Sequence, residues 1–275
     1  MRILLNLGLY LSFYLSICCS TLSVFAAQTT PALSHIAKPA AWQSSLYIRQ
    51  AFSEVALKNE YDKAKHRIRK WYIPVRVFIE HQVGDRALHT QLVQMQLTHL
   101  AEITGHDMQL VDTLADANLH LVLTRQSLWA SEVMRLMGVN SAQNVHGSVC
   151  MGKFALNSKS EIERAWVIIP VDQAQMHGKL VACVVEEITQ VLGLPNDSEK
   201  VFPSIFNDKT PQDLLTGLDL ILLKLLYNSS IRAGMTAAEI ESPVQHLLKQ
   251  WQGDGTIANA DKIVRQGQLY PLLGY

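Results

Sequence analysis

The ten histidines of this 275-residue chain are scattered, and no two of them form a His-x-x-x-His pair. Two imidazoles four apart on a helix are what binds zinc in the common zinc hydrolases, so an enzyme of that ordinary type is disfavoured. Charge of one sign is missing as well: Lys+Arg and Asp+Glu both number 24. No electrostatic footprint therefore points to nucleic acid or to an anionic membrane surface. The chain has no Gly-x-Ser-x-Gly elbow and no Ser-x-x-Lys, which removes two frames for a serine nucleophile. Gly147-Ser-Val-Cys-Met-Gly-Lys153 mimics a phosphate loop. Phe154 stands where the metal-binding hydroxyl belongs, however, and a strand is expected to follow instead of a helix. Internal repeats and low-complexity tracts are absent.

Cysteine is scarce, at four residues, and two of these fall in a leader. Residues 1–26 read as a secretory signal: Arg2 is a short positive start, Ile3 to Ile17 is strongly apolar, and Val24-Phe25-Ala26 offers a cleavage site. The competing reading is a retained membrane anchor. A lipoprotein is disfavoured because Ile17 precedes Cys18. Cleavage removes Arg2 and leaves 23 positive against 24 negative side chains. The expected mature protein is exported, periplasmic or extracellular, with no membrane association. Cys150 and Cys183 remain, and an even pair in an exported chain favours a bridge. Closing that loop would contribute roughly 3 kcal/mol in the chain-entropy model. The bland alternative is two buried thiols packed as small hydrophobes.

The 48% hydrophobic content suits one substantial domain. Residues 27–42 are polar and proline-bearing, and are expected to be a flexible mature N-terminus. Helices are expected over about Gln43–Lys58, from Gly84-Asp85 to Thr104 with Gly105 as C-cap, and around Leu128–Met137. The basic run Lys63–Lys70 is expected to be a solvated face. Strands are expected over Trp71–Ile79, Met108–Val111, Asn118–Thr124, Val149–Leu156 and Arg164–Val171. A helix over about Lys179–Leu192 follows, then an apolar helix Pro211–Tyr227, the turn Arg232-Ala-Gly-Met235, and a helix to Trp251 opened by a capping box at Thr236 and Glu239. The pattern is α+β with one domain over 43–251 and a tail over 252–275 that wraps the surface.

The helix near residue 185 carries the chemistry. Glu186 and Gln190, four apart, share one face, with Glu187 one step round. Gly193 ends the helix, and Asn196 and Asp197 lie just past the turn. Glu186-Glu187-x-x-Gln190-x-x-Gly193-x-x-Asn196-Asp197 resembles the metzincin frame of zinc peptidases with each histidine replaced, and Gly234-Met235 resembles its Met-turn. A closer resemblance is to a bacterial exported family, domain of unknown function 2927. It rests on Arg67-Ile-Arg-Lys-Trp71, Cys183 before Glu186-Glu187-Ile-Thr-Gln-Val-Leu-Gly-Leu-Pro-Asn-Asp197, Ser204-Ile-Phe-Asn207, Asp219, and Leu226-Tyr227…Arg232-Ala-Gly-Met235. It covers roughly Phe52 to Glu239.

The metzincin resemblance implies a mixed sheet packed on this helix, with a Met-turn and a C-terminal helix. Oxygen donors at Glu186, Gln190 and Asn196 or Asp197 suit a hard divalent cation and not zinc. The simplest reading of these residues needs no ion: they brace the helix to the loop after Gly193 by hydrogen bonds. Glu187 matches the peptidase general base in residue type. Asp219, inside the apolar helix, is either a surface residue or a polar anchor to the site loop. His120 is expected to be a satisfied core or surface histidine, while His146 and His177 lie in loops flanking the site. The expected function is therefore a non-proteolytic exported protein that binds a peptide or cell-envelope partner. The alternative is a hydrolase with Glu187 as base and an oxygen-ligated metal or none.

Overall fold

Val, Ile and Leu dominate five short runs that form one sheet: β1 (Val75–His81), β2 (Met108–Leu110), β3 (Leu119–Thr124), β4 (Met151–Leu156) and β5 (Ile162–Pro170). The computed structural model describes residues 40–58, 66–210 and 212–275. The signal, the mature N-terminus up to residue 39 and Lys63 to Lys65 of the basic run lie outside them. The sheet order is β2-β1-β3-β5-β4. The first four strands are parallel and β4 runs antiparallel to β5. The sheet is thus mixed and the class α+β.

The helices are α1 (Ser45–Phe52), α2 (Arg86–Thr104), α3 (Trp129–Met137), α4 (Val139–Ala142), α5 (Val171–Met176), α6 (Leu180–Gln190), α7 (Gly217–Tyr227), α8 (Ala237–Gly253), α9 (Ala260–Val264) and α10 (Leu269–Leu272). All six residues of β3 are buried, as a central strand covered on both faces requires. Leu119, Leu121 and Leu123 join the main core with α2, α6 and α7. Val122, on the alternate face, packs with Ile168 and with Trp129, Val133 and Met137 of α3.

Several boundaries differ from the sequence reading, each for a local reason. β1 starts at Val75, after Pro74; Trp71 is instead buried, its indole N–H donating to Val191 O at 2.9 Å. The helix expected over 43–58 is α1 followed by a π-helical turn, Ser53–Leu57. β4 starts at Met151 because Cys150 is held by α6. The end of α2 is as expected: Gly105, at φ 68°, caps it and donates its N–H to Ala101 O. α7 starts at Gly217, not near Pro211, because Thr216 and Asp219 form a reciprocal cap. α5, directly after β5, was not anticipated.

The basic run is a solvated face over only part of its described length: His66 and Arg67 are exposed, but the chain then turns inward. Ile68, Arg69 and Lys70 are buried. The Lys70 ammonium donates to the carbonyls of Leu226, Asn228 and Ile231 at 2.7–3.2 Å, which satisfies the C-terminal end of α7. Ile68 exchanges backbone hydrogen bonds with Gly234 and Met235. Gly193, at φ +119°, comes so close to the Arg69 carbonyl that any Cβ there would overlap it. Residues 66–71 are a strap tying the ends of α6 and α7 to the turn before α8.

The tail folds into α9 and α10 and packs on α2 through Tyr270, whose ring meets His99 edge-on at 6.3 Å. Burial holds the His99 imidazole down at about 4, against an ordinary 6.5. A histidine depressed in the folded state adds stability above its ordinary pKa and loses it as pH falls. Unfolding free energy should therefore decline from about pH 6.5 towards pH 4, and His99→Gln should make that decline shallower in denaturant titrations. Gly193→Ala combines a left-handed backbone with a backbone overlap. It should lower stability by about 3 kcal/mol or more, read from urea midpoints.

Candidate functional site

A cleft of about 850 Å³ runs between β4, α6, the segment before β4 and the loops after Gly193. Its volume lies in the range of small-ligand and peptide sites. Glu186, Glu187 and Gln190 of α6 all line it. α6 presents them there because its opposite side, Val184, Val185 and Ile188, is buried in the core. Glu186 and Gln190 are half-buried, while Glu187 is 5% exposed. The Glu187 carboxylate lies against the backbone of β4: a methyl group on Gly152 would sit 2.8 Å from its Oε2. Gly152 is the residue that lets the strand pass this close.

Past Gly193 the two candidate ligand positions diverge. Asp197 lines the cleft and accepts a 2.9 Å hydrogen bond from Gln190 Nε2. Asn196 is buried and donates to Glu54 O at 3.0 Å and Asp197 O at 2.9 Å, fixing the loop to the π-helical turn. A third acid, Asp208, reaches the same place from the following loop. Oxygens of Glu186, Asp197 and Asp208 all lie within 4.8 Å of one another.

That loop is held from behind. Asn207 is 2% exposed and donates to Glu199 O and Val201 O, while its Oδ1 accepts from Lys209 N and Thr210 N. Asp219 accepts from Ser204 Oγ at 2.5 Å, Ile205 N at 3.1 Å and Thr216 N at 2.7 Å. It is the polar anchor to the site loop, fully buried, and burial pushes its carboxyl up to about 6. The cleft's two lysines are engaged: Lys179 pairs with Asp213 at 3.0 Å, and Lys153 donates to Met137 O at 2.5 Å and to Ser141 Oγ. Among the described residues four carboxylates and two lysines line the cleft, and no histidine does. Zinc does not fit this donor set.

The structure bridges Cys150 and Cys183 with Cα atoms 5.9 Å apart. The bond ties the segment before β4 to α6, so both walls of the cleft share one staple. Other singled-out residues lie apart. Met235 is half-buried beside the strap, its Sδ accepting from Arg232 N, and it does not line the cleft. His146 and His177 are exposed and do not line it either. His120 is a core histidine whose Nε2 pairs with Glu80 at 2.8 Å. Asp208, Gly152 and the two lysines were not identified as site residues from sequence. The Asn207 loop motif was the available signal for Asp208.

These features define a class: a mixed α+β protein with a disulfide-stapled, carboxylate-lined cleft on a glycine-ended helix. The chain belongs to the family described as protein of unknown function, DUF2927, whose model matches residues 45–246. No curated protein and no solved structure matches it.

Replacing both Cys150 and Cys183 by Ala should cost about 3–4 kcal/mol, from a sequence separation of 33 residues. Denaturant midpoints with and without a thiol reductant check this, since reduction should reproduce the variant.

Proposed function

We propose that this is an exported, non-proteolytic protein on a metzincin-like scaffold whose cleft binds an extended peptide segment of an envelope partner. The observation that carries the reading is the position of β4. It pairs with β5 on one side and, among the described residues, is the edge of the sheet on the other. Met151, Gly152, Lys153 and Phe154 of that strand line the cleft. An edge strand offers unpaired N–H and C=O groups to an incoming strand, and the opposite wall supplies carboxylates for its side chains. Glu186, Asp197 and Asp208 suit a lysine or arginine.

Support for the scaffold is the mixed sheet beside a helix that ends at Gly193, followed by the Met235 turn and α8. Support for export is the charge-poor apolar leader with its small-residue cleavage site, and the bridged cysteine pair beyond it. No helix among the described residues is long and apolar enough to cross a membrane.

A second reading rests on one observation, the convergence of the three acids within 4.8 Å. Three carboxylates are the donor set of a hard cation such as calcium, magnesium or manganese. Glu187 would then serve as general base for a hydrolysis.

Panning a random peptide library against the purified protein separates the two. Binding should enrich extended segments with a basic residue, and Glu186→Gln with Asp208→Asn should weaken them about tenfold or more, as lost charge-assisted contacts do. A stoichiometric ion in protein purified without chelator, with a hydrolytic activity abolished by Glu187→Gln, would overturn the first reading in favour of the second.

A further inference from the structure

Away from the cleft, and sharing no lining residue with it, the sheet carries a second pocket of about 340 Å³. It opens on the sheet face that α3 covers only in part. The register places Phe78, His120 and Trp166 side by side across β1, β3 and β5. Trp166 is half-buried and packs on the α3 cluster beside Leu136. Leu114, 51% exposed, stands at the pocket's other wall. Leu114, Leu136 and the Trp166 indole thus give the pocket its apolar lining.

Its polar side chains, Asn118, His120 and Arg164, differ in what they can still bind. Both ends of the Asn118 amide are engaged: Oδ1 accepts from Arg76 N at 2.7 Å and Nδ2 donates to Pro74 O at 2.8 Å. His120 is 6% exposed, and its Nε2 is committed to Glu80 Oε2 at 2.8 Å. Glu80 is held in turn by Gln82 Nε2 at 2.5 Å and Arg135 Nη2 at 3.2 Å. With the N–H on Nε2, Nδ1 is left as the acceptor of the ring. Burial lowers the imidazole's affinity for a second proton, so the ring stays neutral at pH 7. Arg164, on the same sheet face, is exposed and makes no ion pair among the described residues.

We infer that this pocket binds a small flat carboxylate that also carries a hydroxyl or N–H donor. The flat body lies on Trp166 between Leu136 and Leu114. The carboxylate meets the Arg164 guanidinium, whose planar fork suits it. The donor points to His120 Nδ1, which Glu80 orients. A neutral ligand would leave Arg164 in water, and a ligand without a donor would leave the imidazole acceptor unmatched. Anion and donor are therefore both part of the specificity.

4-Hydroxybenzoate is the probe and 4-hydroxybenzyl alcohol its neutral control. Titration followed by NMR should shift the Trp166 indole and His120 ring resonances saturably, with the acid binding at least tenfold more tightly than the alcohol. Arg164→Met alters an exposed side chain and should erase that preference while the spectrum otherwise keeps its dispersion. Glu186→Gln, in the cleft, should leave the titration unchanged. No saturable shift at millimolar acid would overturn the proposal. So would a preference that survives in Arg164→Met, or shifts confined to cleft residues. None of these outcomes bears on the peptide reading of the cleft.

Discussion

The structure depends on how the C-terminal end of α6 is closed. A helix leaves its last carbonyls without intrahelical partners, and burying them unsatisfied is costly. Here Val191 O accepts from the Trp71 indole and Leu192 O accepts from the Tyr227 hydroxyl at 3.0 Å, one donor from the strap and one from α7. The chain then turns at Gly193, where the Arg69 carbonyl occupies the space a side chain would need. A glycine is required twice over, for its positive φ and for the close approach. The strap, α6 and α7 meet at this junction, and Lys70 extends it to the end of α7.

What the junction fixes is the direction in which α6 presents its polar face. Glu186 and Gln190 reach the cleft because the core holds the rest of the helix, and the loop beyond Gly193 returns Asp197 to Gln190. Several carboxylates close together repel one another and need compensation. Gln190 supplies one hydrogen bond to Asp197. Asp208 remains exposed, where water screens it. The loop around Ser204 to Asn207 is held from behind by neutral donors and by buried Asp219.

Much of this was legible in the chain. The Gly193 stop, the bridge between Cys150 and Cys183 and the capping box at Thr236 follow from local rules of spacing and residue type, and the structure contains each of them. The basic run misled because charge content alone predicts solvent, whereas Lys70 finds three carbonyls that only the folded chain brings together. α7 was placed too early because an apolar run marks a helix but not its first residue; Thr216 and Asp219 set that. Asp208 and Gly152 were missed for a similar reason. Their importance lies in what they face across the cleft, a long-range relation that periodicity does not carry.

The packing of Glu187 bears on both readings of the cleft. A general base must reach a water held against its carboxylate. Glu187 is 5% exposed and lies so close to β4 that even a methyl on Gly152 would press on it. The acids further out, Glu186, Asp197 and Asp208, line the open cleft. The buried and the open carboxylates thus differ in how much room stands before them, and the difference comes from the glycine that brings β4 down onto α6.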